Sequence, residues 1–163
     1  MSSSRQLVVT ENMSANGVIE FLDSWFDPGD QTDTADLNEV MREQMAGESA
    51  LLLGRQTFED FRGYWPLQTD DETGSTEHLN RVHKYVVSST LTDPQWENTT
   101  ILSGSLIEEV RSLKATGTGE IGITGSISVV HALLAADLVD QVRLFVYPVL
   151  TSRGRNLVPR GLR

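Results

Sequence analysis

The chain contains no cysteine. That absence removes disulfide scaffolds, thiolate zinc sites and cysteine nucleophiles together. Positive charge is also scarce: 13 Lys and Arg stand against 23 Asp and Glu, a formal charge of -10 at pH 7. A field of that sign repels nucleic acid and anionic membrane surfaces, so neither is expected as a partner. It still permits an anionic small molecule held in a local basic pocket. No apolar run reaches the ~18 residues of a membrane-spanning helix, and the first six residues, Met1 to Gln6, have no apolar leader core. These absences predict a cytoplasmic protein. Its 163 residues suffice for one domain, 1–163, with a sizeable core.

What is present is an alternation of strand-like and helix-like stretches. Gln6 to Thr10 reads as a strand, and Val18 to Phe21 as a second, weaker one. Asp23 to Asp36 is polar and reads as a long excursion loop. Leu37, Val40, Met41 and Met45 then fall at helical spacing, with Asp33 or Thr34 to cap the start. Further strands are expected over Ser49–Leu53, Lys84–Ser89, Thr100–Leu102, Glu120–Thr124 and Leu138–Tyr147. Between them, helices are expected from Arg55 through Phe58, Phe61 and Trp65, and over Thr76–His83. Two more should start at a Ser105–Glu108 capping box and at Ser126, the last with Ile127, Val130, Leu133 and Leu134 inward. Strands parted by helices of this length predict a mostly parallel α/β sheet wrapped on both faces.

The most informative stretch is Leu51 to Glu59, where an apolar run ends at Gly54 and a helix-like pattern begins at Arg55-Gln56-Thr57. A strand turning through glycine into a helix aims free N–H groups and a partial positive charge at one spot. That spot suits phosphate; it is equally the form of an ordinary turn with a solvated arginine. Gly125-Ser126 follows a strand and opens a helix in the same way, as a ligand turn or a plain cap. In an open α/β sheet both turns face one crevice, with Ser88, Ser89 and Thr90 on the same edge. The Gly117–Gly122 stretch matches a dinucleotide fingerprint formally, but it precedes a strand where the fingerprint must follow one. His78, His83 and His131 are too scattered for a metal cluster. Acids at 20, 23, 27, 30, 33, 36, 39 and 43 form a solvated set from which one buried proton relay is conceivable.

Gly54-Arg-Gln-Thr-Phe-Glu59 resembles the Gly-Arg-x-Thr-x-Glu element of dihydrofolate reductases. The stretch Val8 to Glu20 is similar to the first strand and Ser-Leu-Asp-Gly turn of riboflavin-biosynthesis reductase domains. Tyr85 to Leu91, Gly125-Ser126, Leu133 to Leu144 and Pro148 to Leu150 resemble that group's later elements, in the same order. The likeness covers about Leu7 to Leu157. It implies a three-layer Rossmann-like sandwich of the dihydrofolate-reductase-like superfamily that binds NADPH and passes hydride to a small heterocycle. That substrate would be pyrimidine- or pterin-like, as for a 5-amino-6-(5-phosphoribosylamino)uracil reductase. The alternative is a non-catalytic NADP(H)-binding sensor or scaffold. Carried over by residue, Gly54, Arg55, Gln56 and Thr57 would hold cofactor phosphates. Ser88, Ser89 and Thr90 would line the 2′-phosphate, and Thr124, Gly125 and Ser126 the pyrophosphate. Met13, Asn16 and Trp25 would border the substrate. Asn16 stands where riboflavin reductases have aspartate, and Thr124 where dihydrofolate reductases have glycine. Relatives usually add a last strand beyond this region; either it is absent here, or the terminus is truncated, or a partner chain completes the edge, and a homodimer covering an open edge is expected.

Overall fold

Ala50 and Leu52 point to one side of their strand and Leu51 and Leu53 to the other, and all four are buried. A strand buried on both faces must sit inside a sheet with a layer on each side. The computed structural model, which describes residues 4–26, 35–71 and 73–162, has that arrangement. Its elements are β1 (Leu7–Ser14), α1 (Ala35–Gly47), β2 (Glu48–Gly54), α2 (Arg55–Tyr64), α3 (Ser75–Arg81) and β3 (His83–Val87). Then follow β4 (Thr99–Leu102), α4 (Leu106–Ala115), β5 (Glu120–Ile123), α5 (Ile127–Ala135) and β6 (Gln141–Tyr147). The strands form one sheet in the order β4-β3-β2-β5-β1-β6. Every pairing between them is parallel.

Each face has its own apolar cluster. Ala50 and Leu52 join Leu7, Val9, Ile121 and Ile123 under Val110 and Leu113 of α4 and Val130 and Leu133 of α5. Leu51 and Leu53 join Val86 and Trp96 under Phe58 of α2 and Leu79 of α3. Phe58 is wholly buried, a gain on the order of 3 kcal/mol. Right-handed crossovers dictate this split, because the chain moves one way along the sheet through β2, β3 and β4 and the other way through β5 and β6. The expected α/β class holds, and the sheet is parallel throughout.

Four local expectations are corrected. Val18 to Phe21 forms no strand; Val18 makes one antiparallel bridge to Asn156. A tight turn, with Ser14 N–H donating to the Val18 carbonyl, diverts the segment toward Arg155 and Leu157. β6 begins at Gln141, since Leu138 turns into the core and the Asp140 carboxylate accepts the Leu7 N–H. The Ser105 side chain caps nothing; α4 starts on the bond from Glu109 N–H to the Ser105 carbonyl. α1 forms where expected but buries no residue fully, with Val40 exposed. Asp33 and Thr34 lie outside the described residues.

Candidate functional site

β2 and β5 are neighbours in the sheet, so the turns that follow them meet at its carboxyl edge. Gly54 N–H donates to the Gly125 carbonyl at 3.0 Å. The approach is too close for a side chain at either position. A Cβ on Gly54 would run into the Ser126 side chain and lie 2.8 Å from the Ser126 nitrogen. One on Gly125 would lie 2.6 Å from Thr57 Oγ1. α2 starts on one face of the sheet and α5 on the other, and neither start has a side-chain cap. Ser126, expected as a cap, instead places its Oγ 3.3 Å from Ser128 Oγ. Two sets of unsatisfied first-turn N–H groups therefore converge, each helix end carrying roughly half a positive charge.

Beside this junction lies a cleft of about 370 Å³ that brings Arg55 together with Ser88, Ser89 and Thr90, and adds Ser103 and Gly104. Arg55 is half exposed, and its ion pair is with Glu59 at 3.4 Å. Ser88 is buried, and its Oγ accepts the N–H groups of Thr90 and Leu91. It shapes the loop, while Ser89 and Thr90 remain exposed to the cleft. Gln56 turns along α2 and donates to Asp60 at 3.0 Å. Thr124 Oγ1 is buried without a hydrogen-bond partner.

The expected substrate side is less assembled. Asn16 Nδ2 donates to the Thr151 carbonyl at 2.7 Å, and Asn16 Oδ1 accepts from Ser14 Oγ and Thr151 N–H. Trp25 packs against Phe21, Phe26 and Tyr147, its Nε1 buried without a partner. Met13 sits near the end of β1, paired with Val146. None of the three lines the Arg55 cleft or a second one of about 280 Å³ between α1 and α3. His78 bonds Glu48, His83 bonds Thr100 and His131 bonds the Asn156 carbonyl, each at 2.8 Å and each apart from the others.

The buried acid falls outside the acidic set marked in the sequence. Glu20 and Asp23 are tied to Arg155 and Arg153, and Asp36, Glu39 and Glu43 are exposed. Asp27, Asp30 and Asp33 lie outside the described residues. Among the described residues the acid that is buried is Glu11, with 7% of its surface exposed. Its Oε1 has no partner, and burial pushes the carboxyl up to about 8. The signal was present: Leu7, Val9 and Glu11 share one phase of an alternating strand, and that phase is the core-facing one.

Similarity to solved structures places this parallel sheet, with α2 and α5 starting at a shared edge, in the dihydrofolate-reductase-like fold. Solved structures with this architecture include a protein named for riboflavin biosynthesis from Shewanella sp. PV-4, 21% identical at a TM-score of 0.67, with 95% of this chain and 84% of that one covered. A dihydrofolate reductase from Enterococcus faecalis, complexed with NADP(H) and RAB-propyl, is 18% identical at 0.59, covering 95% and 77%. A pyrimidine reductase-like protein from Corynebacterium diphtheriae is 17% identical at 0.59, covering 91% and 76%. Within that fold the chain belongs to the RibD C-terminal domain family, which it matches over residues 5–162. It is also 32% identical over 111 residues to the uncharacterized protein YyaP of Bacillus subtilis (strain 168). That match spans 66% of this chain and 57% of the relative.

Proposed function

We propose that residues 1–163 act as an NADPH-dependent reductase that delivers hydride to a small pyrimidine- or pterin-like heterocycle, a 5-amino-6-(5-phosphoribosylamino)uracil reductase-like activity. The observation that carries this reading is the meeting of two uncapped helix starts beside a cleft that holds Arg55. An elongated ligand with phosphates at two points fits that arrangement. Gly54 and Gly125 let its backbone approach closely, and the first-turn N–H groups of α5 take the pyrophosphate. Arg55, Ser89 and Thr90 take the 2′-phosphate, with Ser88 ordering their loop. When bound, the reduced nicotinamide supplies the hydride; the protein orients it and excludes water. Membership of the family and reductases among proteins of the same fold support the reading.

A second reading, a non-catalytic NADP(H)-binding sensor or scaffold, is favoured by one observation. Asn16 and Trp25, expected at the substrate, are engaged within the protein. Titration and turnover separate the two. NADPH should bind more tightly than NADH, and Arg55→Ala should remove that preference. A charge-assisted phosphate contact is worth about 1.5–3 kcal/mol, or ~10- to ~100-fold. Equal affinity for the two cofactors would refute the cofactor assignment. Oxidation of NADPH with dihydrofolate or a ribosylaminopyrimidine would establish the reductase, and binding without oxidation across such a panel the sensor. The same proposal includes a cytoplasmic homodimer joined along β6, whose Val142, Leu144 and Val146 are exposed on one face.

A further inference from the structure

Glu11 has no function in the site described so far, and the sheet defines its place. β1 pairs with β5 through Val9 and Ile123. Glu11, two residues on, therefore stands level with Gly125 and on the face that α5 covers. α5 opens there without a side-chain cap. A buried carboxyl oxygen with no partner is rare in folded proteins and calls for an explanation beyond packing. We propose that Glu11 is a positioning residue for the start of α5: with its carboxyl neutral the helix end accepts an anionic ligand group, and with the carboxylate formed it rejects one. The inference rests on the cofactor-binding reading above, in which that group is the pyrophosphate of NADPH.

A carboxylate beside a helix N-terminus is itself favoured by the dipole, so it competes for the positive potential that would hold phosphate. Like charges sharing one partly buried region change affinity about tenfold or more. Burial holds the Glu11 carboxyl up near about 8, and no neighbouring charge contributes. On the elements packed around it, α5 offers His131, which is bonded to the Asn156 carbonyl. β6 presents Val142, Leu144 and Val146 on this face, while Arg143 is on the other, paired with Glu120 of β5. Lys114 of α4 is bound to Asp140 at the opposite end of β1. Arg153 and Arg155 are paired with Asp23 and Glu20.

Calorimetric titration of the full chain with NADPH near pH 8, in two buffers of different ionisation heat, decides the matter. Linkage is reciprocal, so an anion that prefers neutral Glu11 must draw protons onto the protein as it binds. The expected result is uptake of a fraction of a proton per site, with affinity falling about tenfold between roughly pH 7 and roughly pH 9.5. Adenosine 2′-monophosphate, which carries the 2′-phosphate for the Arg55 cleft and no 5′-phosphate, should show neither uptake nor slope in the upper half of that range. Glu11→Gln should bind NADPH with a flat profile. NADPH binding without proton uptake, a slope that survives in Glu11→Gln, or the same slope for the fragment would each overturn the proposal. Failure of wild type to bind NADPH at any pH removes the cofactor reading itself and this inference with it. Should Glu11→Gln not fold, the wild-type proton uptake still decides.

Discussion

Lys84 Nζ lies 4.5 Å from the centre of the Trp96 ring, and the lysine is wholly buried. The ammonium also donates to the carbonyls of Leu79 at 2.6 Å and Val82 at 3.1 Å, closing the C-terminal end of α3. A buried cation is tolerated when its donors and the ring face beneath it are all used. Lys84→Met would leave two carbonyls without a donor, and should cost about 1–3 kcal/mol in denaturant unfolding.

The same lysine predicts a pH dependence. Burial pushes its pKa down to about 8, with Glu97 pulling it back up. Between about 8 and the ordinary 10.5 the unfolded chain binds more protons than the folded one, so wild-type stability should rise with pH across that window. Lys84→Met should lose the rise. A rise that persists in the variant would assign it to other groups.

Glu11 predicts the opposite slope. Its folded pKa is raised from 4.5 to about 8, so the folded protein holds the extra proton across that window. Stability is greatest below 4.5 on this account and declines as pH climbs toward 8, by on the order of 5 kcal/mol at the limit. Thermal melts of Glu11→Gln should lack this decline and stand above wild type near pH 8. With Lys84 included, wild type should show a stability minimum near pH 8, and a maximum there would contradict both assignments.

Two glycines of one region should respond in opposite directions to alanine. Gly54→Ala forces a methyl onto Ser126 and should destabilise by about 1–3 kcal/mol while weakening NADPH binding. Gly63, near the end of α2, has nothing within 4 Å of its missing Cβ. Gly63→Ala should therefore stabilise by roughly 0.5–1 kcal/mol and leave binding alone. Equal effects at the two positions would mean that the turn is not sterically closed.

The dimer proposed above has a definite register. If β6 pairs with its own copy antiparallel about Leu144, Val142 faces Val146 of the second copy and an apolar row forms on one face. Light scattering should then give twice the 18.0 kDa of one chain, and Leu144→Glu should give the single-chain mass. A wild-type mass of 18.0 kDa at micromolar concentration would end the proposal.

Strand phases and helix periods were legible because they are local: β2, α2, β4 and β5 fall within a residue or two of their expected limits. Arg55, Ser89 and Thr90 were readable as one edge because a parallel sheet brings strand ends together whatever the side chains do. Two things were not local, and a third was local and missed. The Val18 segment depends on Asn156, far along the chain. Ser105 and Ser126 sit at N-cap positions, but whether a hydroxyl turns onto the helix is decided by its packing neighbours. Glu11 lay in plain view within an apolar alternation, and the reading of acids by count passed over it.

The strand order has a consequence for how the chain reaches this structure. β1 is flanked by β5 and β6, and its residue Leu7 pairs with Ile121. The first strand to be synthesised thus has no partner until most of the chain exists. β2, β3 and β4 can assemble early as a three-stranded unit, but one side of β2 stays bare until β5 slots between it and β1. Such long-range closure is intrinsically slow and leaves apolar edges open meanwhile. Insertion of β5, the shared strand, should therefore limit the folding rate, and weakening Ile121 or Ile123 should delay the joining of the two halves more than their separate formation.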